Sequence, residues 1–99
     1  MQQVTQDNWN SIIEKELAVI QFSAPWCGPC KSQAQVLDEV STSNNSLFFG
    51  KIDIEEASDL ADSFKVRSVP TIVFLRKGKE SNRLVGFQTK QKVQAAISA

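Results

Sequence analysis

The sequence predicts an α/β fold with a central mixed sheet of four to five strands flanked by four helices. Short apolar runs typical of buried strands alternate along the chain with stretches in which apolar residues recur at helical spacing. Strands separated by helices run parallel through right-handed crossovers, so that helices cover both faces of the sheet. The last two strands are separated by a short turn and form an antiparallel hairpin, which makes the predicted sheet mixed.

The first half of the chain predicts two helices and the strand between them. Asp7 is placed to cap the first helix, and residues 3–5 predict a short strand before it. Residues 18–22 form a buried strand, and a second helix follows at residues 27–42. The apolar stripe of the first helix consists of Trp9, Ile12, Ile13 and Leu17, and Trp9 is assigned to the core. The inward face of the second helix is predicted to contain Cys30, Ala34, Leu37 and Ser41.

The second half predicts three strands and two helices. In the strand at residues 47–54, Lys51 and Asp53 lie on the face opposite the apolar side chains. The strand at residues 71–75 is buried, and a turn at residues 76–79 joins it to a hairpin partner at residues 83–87. Thr89 caps the fourth helix. The apolar face of the third helix consists of Ala57, Leu60, Ala61 and Phe64, and that of the fourth consists of Val93, Ala96 and Ile97.

The composition excludes several kinds of chemistry. The 99 residues, which at this length predict one domain spanning residues 1–99, contain no histidine. The chain therefore has no imidazole base and no histidine metal ligand. Its two cysteines cannot make a four-thiolate zinc site or a scaffold of several disulfides. Because eleven basic residues balance eleven acidic ones, nucleic acid is not expected as a partner.

Neither a targeting segment nor a membrane span is predicted. The polar first residues have no basic region followed by an apolar stretch, which a secretory signal requires. No apolar run approaches the roughly 20 residues that cross a bilayer. The cytoplasm is therefore the expected location, and no membrane association is expected.

The chemistry-bearing motif is Cys27-Gly28-Pro29-Cys30, at the junction between a buried strand and a helix. Unpaired N–H groups and a partial positive charge at the start of a helix stabilise a thiolate there. Cys27 is therefore the expected nucleophile, and Cys30 lies deeper and within reach of it. Pro29 fits the first helical turn because its missing N–H would have no helical partner, and Gly28 allows another backbone to approach.

This arrangement predicts disulfide exchange. Cys27 attacks a target disulfide, and Cys30 then attacks Cys27 and releases the reduced target, without metal or cofactor. A structural interpretation, in which the cysteines are simply buried or permanently bonded, is less favoured because a Cys-x-x-Cys pair at a strand–helix junction is typical of redox proteins. Two further alternatives stay open: an iron–sulfur or metal-bridged dimer, and a non-catalytic interaction subunit that clamps a partner.

The sequence resembles the thioredoxin family over nearly its whole length. The resemblance rests on an active-site motif and four downstream segments in family-like order, namely Trp26-Cys27-Gly28-Pro29-Cys30-Lys31, Leu37-Asp38-Glu39, Lys51-Ile52-Asp53-Ile54, Val69-Pro70-Thr71 and Val85-Gly86. The Gly-Pro pair between the cysteines is similar to that of the reducing members. The resemblance implies the thioredoxin fold and a redox-active Cys27–Cys30 disulfide.

The resemblance also implies a substrate-binding surface beside the dithiol. Pro70 matches the family's cis-proline, and the backbone of Val69 would pair with the substrate chain. The implied docking surface is flat and partly apolar and consists of Trp26, Gly28, Pro29, Val69, Pro70, Val85, Gly86 and Phe87.

Gln21 departs from the family pattern. The family has a buried aspartate at this position, which is thought to help deprotonate the deeper cysteine, and glutamine cannot do so. Its usual partner, a buried lysine, is present as Lys51, which must find another acid or reach water because an unpaired buried ammonium is costly. Asp53 is the nearest acid in the sequence. We expect Cys30 to lose its proton more slowly than in relatives, or to use Asp53 or water.

The resemblance further implies partners but no bound cofactor or metal. Reducing equivalents would come from a thioredoxin reductase-like protein and pass to disulfide-containing target proteins, with the chain acting as a monomer. Because Gln21 replaces the acid, a dedicated reductase with a narrowed range of targets is a variant of this function.

Overall fold

The computed structural model describes all 99 residues, and its central element is a five-stranded mixed sheet. Its strands are β1 (Gln2–Gln3), β2 (Ala18–Ser23), β3 (Phe48–Asp53), β4 (Thr71–Arg76) and β5 (Lys79–Val85). The helices are α1 (Trp9–Ile12), α2 (Gly28–Thr42), α3 (Ser58–Ser63) and α4 (Lys90–Ser98). In the order β1-β3-β2-β4-β5, β3 is parallel to both neighbours and β4 is antiparallel to both. The predicted mixed sheet with four helices is confirmed.

The two faces of the sheet bury separate hydrophobic clusters because side chains alternate along each strand. In β2, Ile20 and Phe22 join a cluster with residues of α1 and α3, whereas Val19 joins a cluster with residues of α2 and α4. Trp9 is half-buried against the first cluster. Gln21 alternates onto the same face as Val19, so the polar side chain at the centre of the sheet points towards α2.

The segment before α1 differs from its prediction. The first strand has only two residues, and α1 has four. Asn8, not Asp7, occupies the N-cap position and makes no side-chain bond to the helix. The Asn8 side chain instead accepts from the Thr5 N–H at 2.9 Å and donates to the Gln3 carbonyl at 2.9 Å. The predicted Asp7 cap is therefore wrong, because the turn that precedes α1 uses the available capping side chain.

The hairpin between β4 and β5 is tighter than predicted. Lys77 and Gly78 both have positive φ, at 49° and 82°, so a two-residue turn places Lys79 directly opposite Arg76. The last strand therefore begins at Lys79 and ends at Val85, and the predicted span of 83–87 is wrong at both ends. The polar residues at the start of β5 were not predicted as strand, but they are compatible with pairing because β5 is an exposed edge strand.

The two long helices pack on the same side of the sheet. In α2 the buried residues are Cys30, Gln33, Leu37 and Val40, so the inward face is rotated from the predicted one and includes a glutamine. In α4, the Thr89 side chain accepts from the Lys92 N–H at 3.2 Å, which confirms the predicted cap. None of the helices combines the length and the apolar character that a membrane span requires.

Candidate active site

The two cysteines form a disulfide at the amino end of α2. Cys27 is the N-cap residue, and its Sγ accepts a hydrogen bond from the Cys30 N–H at 3.2 Å. Pro29 lies in the first turn, where its missing N–H costs no helical bond, and Gly28 and Pro29 are exposed. The sulfur of Cys27 therefore lies where free N–H groups and the positive end of the helix dipole stabilise negative charge.

Three large apolar side chains are exposed on the molecule, and all three belong to the predicted docking surface. The exposed fractions are 68% for Trp26, 58% for Val85 and 49% for Phe87. The indole Nε1–H of Trp26 donates to the Glu55 carboxylate at 2.8 Å, which holds the ring beside Cys27. A contiguous exposed apolar patch, unlike single scattered apolar residues, is typical of an interaction surface.

The loop before β4 lies against the disulfide. The peptide bond between Val69 and Pro70 is cis, and Pro70 is buried. The half-buried Val69 side chain packs on the small cluster that contains both cysteines. The Pro70 carbonyl accepts from the Gly86 N–H at 2.9 Å, so this loop and the end of β5 are joined. Gly86 has a φ of +84°, which favours glycine over any residue with a side chain.

Gln21 lies directly beneath the second cysteine. Its side chain is 1% exposed, and its Nε2 donates to the Cys30 carbonyl at 2.9 Å. Its Oε1 is buried and has no hydrogen-bond partner in the protein. Most buried polar atoms in folded proteins are hydrogen-bonded, so this orphan oxygen is a distinctive feature of the site.

A pocket of about 380 Å³ opens beside Cys30 and Gln21. It is lined mainly by polar side chains, among them Gln21, Ser23, Cys30, Lys51, Asp53 and Glu56. Sheet register explains the grouping, since Gln21 pairs with Lys51 and Ser23 pairs with Asp53. The pocket gives the buried dithiol a polar connection to the surface.

Lys51 and Asp53 both line this pocket, and of the alternatives that the sequence left open for Lys51, the structure has the one in which its side chain reaches water. Lys51 is exposed and makes no salt bridge, so its ammonium reaches water and the family's buried lysine is not reproduced here. Asp53 Oδ1 accepts the N–H groups of Glu55 and Glu56, at 2.8 and 3.4 Å. Asp53 thus organises the turn that presents Glu55 to Trp26, a contact that the sequence did not predict.

A second buried glutamine was also missed. Gln33, which is fully buried, bonds through both atoms of its carboxamide to the backbone of Gln88, in the loop after Phe87. The spacing of three residues between Cys30 and Gln33 could have indicated that Gln33 lies on the buried face of α2. Glutamine is mostly exposed in proteins, however, so its residue type argued against burial. No group of three or more His, Cys, Asp or Glu side chains is arranged to hold a metal ion.

Comparison with known proteins agrees with this geometry. The thioredoxin family model matches residues 1–99. The chain is 37% identical over 95 residues to a thioredoxin of Chlamydia caviae, covering 96% of this chain and 93% of that protein. It is 36% identical over 80 residues to a thioredoxin of Mycoplasma pneumoniae, covering 81% and 78%. A solved thioredoxin of Plasmodium falciparum superposes with a TM-score of 0.90 at 31% identity, covering 99% and 97%. The chain therefore belongs to the thioredoxin family and is a thiol-disulfide oxidoreductase.

Proposed function

We propose that this chain is a protein-disulfide reductase whose active site is the Cys-Gly-Pro-Cys motif, with residues 1–99 acting as one monomeric domain. The observation that carries the proposal is the Cys27–Cys30 disulfide at the amino end of α2, directly beside the exposed Trp26. A disulfide with a purely structural role would not need an exposed apolar surface around it.

The proposed cycle begins with the reduced dithiol. The Cys27 thiolate attacks one sulfur of the target disulfide, so that a mixed disulfide forms and the other target sulfur leaves as a thiolate. Cys30 loses its proton, and its thiolate attacks the Cys27 Sγ. The Cys27–Cys30 disulfide then forms, the second target thiolate is released, and two electrons have passed to the target.

The local geometry supports these separate roles for the two cysteines. The Sγ of Cys27 has the Cys30 N–H as a donor and lies at the N-cap, where a thiolate is stabilised. Cys30 lies within the first turn of α2 and is held from below by the Gln21 carboxamide. Cys27 is therefore the attacking residue and Cys30 the resolving residue in the proposed cycle.

The proton of Cys30 has no side-chain base within hydrogen-bond distance. Gln21 is neutral and contacts the Cys30 carbonyl, while Asp53 Oδ1 is engaged by backbone N–H groups. The polar pocket connects Cys30 to the exposed Lys51 and Glu56. We propose that this proton leaves to solvent through the pocket.

The proposed partners follow from the surface and from the family. Trp26, Val85 and Phe87 would contact the target around the disulfide, and the backbone of Val69 would pair with the extended target segment. Targets are disulfide-containing proteins, and a thioredoxin reductase-like protein in the cytoplasm would return the cysteines to the dithiol.

Insulin-disulfide reduction, first with a small dithiol and then with a reductase and NADPH, tests the activity and the electron source. The wild type should accelerate the reaction, and Cys27→Ser should abolish the acceleration. Cys30→Ser should stop after the first attack and accumulate a mixed disulfide through Cys27, visible by mass spectrometry. Ser32→Ala, at an exposed position on the same helix, is the control and should behave as wild type.

Replacement of the buried acid by Gln21 favours one narrower version of this function, a dedicated reductase with few targets. A wild type that reduces a small disulfide but not insulin would indicate it. Partner binding that survives Cys27→Ser, Cys30→Ser, without any reduction by the wild type, would instead indicate an interaction subunit. Metal or colour in the purified protein would indicate a metal-bridged dimer.

A further inference from the structure

The loop that follows β5 is held by a side chain of α2. The Gln33 Nε2 donates to the Gln88 carbonyl at 3.1 Å, and the Gln33 Oε1 accepts from the Gln88 N–H at 2.6 Å. One carboxamide thus bonds both backbone groups of one residue, as the edge of a neighbouring strand would. Gln33 is 0% exposed and Gln88 is half-buried, so the two bonds lie partly shielded from water.

The last residue of β5 and this loop carry two of the three exposed apolar side chains. Val85 and Phe87 flank Gly86, whose N–H donates to the Pro70 carbonyl at 2.9 Å. The Gln88 side chain closes the loop by donating from Nε2 to the Val85 carbonyl at 3.0 Å. Residues 85–88, named here the docking loop, are therefore fixed at one end to the cis-proline segment and at the other to Gln33.

We propose that Gln33 is a positioning residue that sets the docking loop for protein substrates. The proposal rests on the proposed protein-disulfide reductase function. Gln33 lies three residues after Cys30 on the buried face of α2, so the helix that carries the dithiol also holds the loop. The distance from the reacting sulfurs to Val85 and Phe87 is thereby set through one rigid element.

The chemistry of the contact requires a primary amide. Leucine at position 33 would leave the Gln88 N–H and carbonyl without their partner, and an unpaired polar group is costly. Glutamate would keep an acceptor for the N–H but would lose the donor to the carbonyl and bring a charge into a buried position. A protein target needs the loop in place, whereas a small disulfide reaches Cys27 without it.

The test compares two substrates in one variant. For Gln33→Leu, kcat/KM with insulin should fall about fivefold through a higher KM, equivalent to the loss of a hydrogen bond of about 1 kcal/mol. The rate with the small disulfide dithiodipyridine should stay at the wild-type value. Gln35→Leu places the same residue at an exposed position of α2 and should leave both rates unchanged.

Equal losses with both substrates, or no loss with insulin, would overturn the proposal. Inactivity of the wild type towards both insulin and dithiodipyridine would instead refute the reductase function itself, which keeps the two failures apart. If Gln33→Leu does not fold, amide hydrogen exchange of the wild type tests whether Gln33 holds the docking loop. The Gln88 N–H, whose partner is the Gln33 Oε1, should exchange more slowly than the Phe87 N–H, and equally fast exchange would contradict the proposal.

Discussion

Two glutamines are buried on the α2 side of the sheet, and their surroundings differ. Gln33 uses both carboxamide atoms to bond the backbone of Gln88. Gln21 uses only its Nε2, and its Oε1 is buried without a partner. A satisfied carboxamide stabilises the parts that it joins, whereas an orphan oxygen costs about 1–3 kcal/mol. The comparison indicates that Gln33 joins two parts of the structure, whereas Gln21 leaves one buried polar atom unsatisfied beside the dithiol.

The largest effect is expected at the satisfied glutamine. Gln33→Leu should lower the free energy of unfolding by about 2 kcal/mol, because two hydrogen bonds of about 1 kcal/mol each are lost and the Gln88 backbone groups are left without a partner. Urea denaturation of the oxidised protein measures the change, with Gln35→Leu as the matched control. An unchanged unfolding midpoint would mean that the bonds to Gln88 contribute nothing to the fold.

The next effect concerns the proton of Cys30. Gln21→Asp introduces a carboxyl group whose pKa burial raises above that of an exposed aspartate. Above that raised pKa the carboxylate can accept the proton of Cys30, so the attack of Cys30 on the mixed disulfide should become about tenfold faster. This acceleration is smaller than a general base usually gives, because water already accepts the proton in the wild type. Single-turnover release of the reduced target, followed across pH, measures this step. Identical pH profiles in the two proteins would refute a role for position 21 in proton transfer.

The same variant should show an additional pH dependence of stability relative to the wild type. The folded state holds the proton of the introduced carboxyl group more tightly than the unfolded state does. The free energy of unfolding should therefore fall as the pH rises from about 4, the ordinary aspartate pKa, through the raised pKa of the folded protein, by about 1.4 kcal/mol per unit of difference. Urea unfolding midpoints at several pH values measure this fall. A difference from the wild type that does not change with pH would show that the introduced carboxyl group is not buried.

A smaller effect is expected when Gln21 becomes apolar. Gln21→Leu removes one hydrogen bond to the Cys30 carbonyl, which also takes part in the backbone hydrogen bonds of α2. The substitution also removes the orphan oxygen. The loss and the gain nearly cancel, so the free energy of unfolding should change by less than about 1 kcal/mol. Thermal or urea unfolding checks this value. A loss as large as that of Gln33→Leu would abolish the distinction between the two glutamines.

Local pattern was enough to predict the central elements and the dithiol. Apolar runs identified β2 and β4, and the Cys27–Cys30 spacing at a strand–helix junction placed the disulfide where the structure has it. Those features depend on residues close together in the chain. The turn was predicted at residues 76–79, but the start of the last strand was predicted too late because its first residues are polar and exposed, and such residues lack the apolar alternation by which a strand is recognised.

The contacts around the site depend on residues far apart in the chain. Gln33 and Gln88 are 55 positions apart, and Trp26 and Glu55 are 29 apart, so no local periodicity links them. The sequence allowed either a buried or a solvated Lys51, and only the fold shows that its side chain reaches water. Polar partners of this kind are specified by tertiary packing and not by spacing.

The smallest effect is expected at an exposed polar contact beside the same site. Glu55 accepts from the indole of Trp26 at 2.8 Å, but the Trp26 side chain is 68% exposed and water competes for both groups. Glu55→Leu should therefore raise the KM for insulin by no more than about twofold, corresponding to less than about 0.5 kcal/mol, whereas Gln33→Leu acts from a buried position. Steady-state reduction of insulin measures the KM, and Glu14→Leu, at an exposed acid outside the site, is the control. A larger effect at Glu55 than at Gln33 would show that the indole, not the docking loop, limits substrate binding.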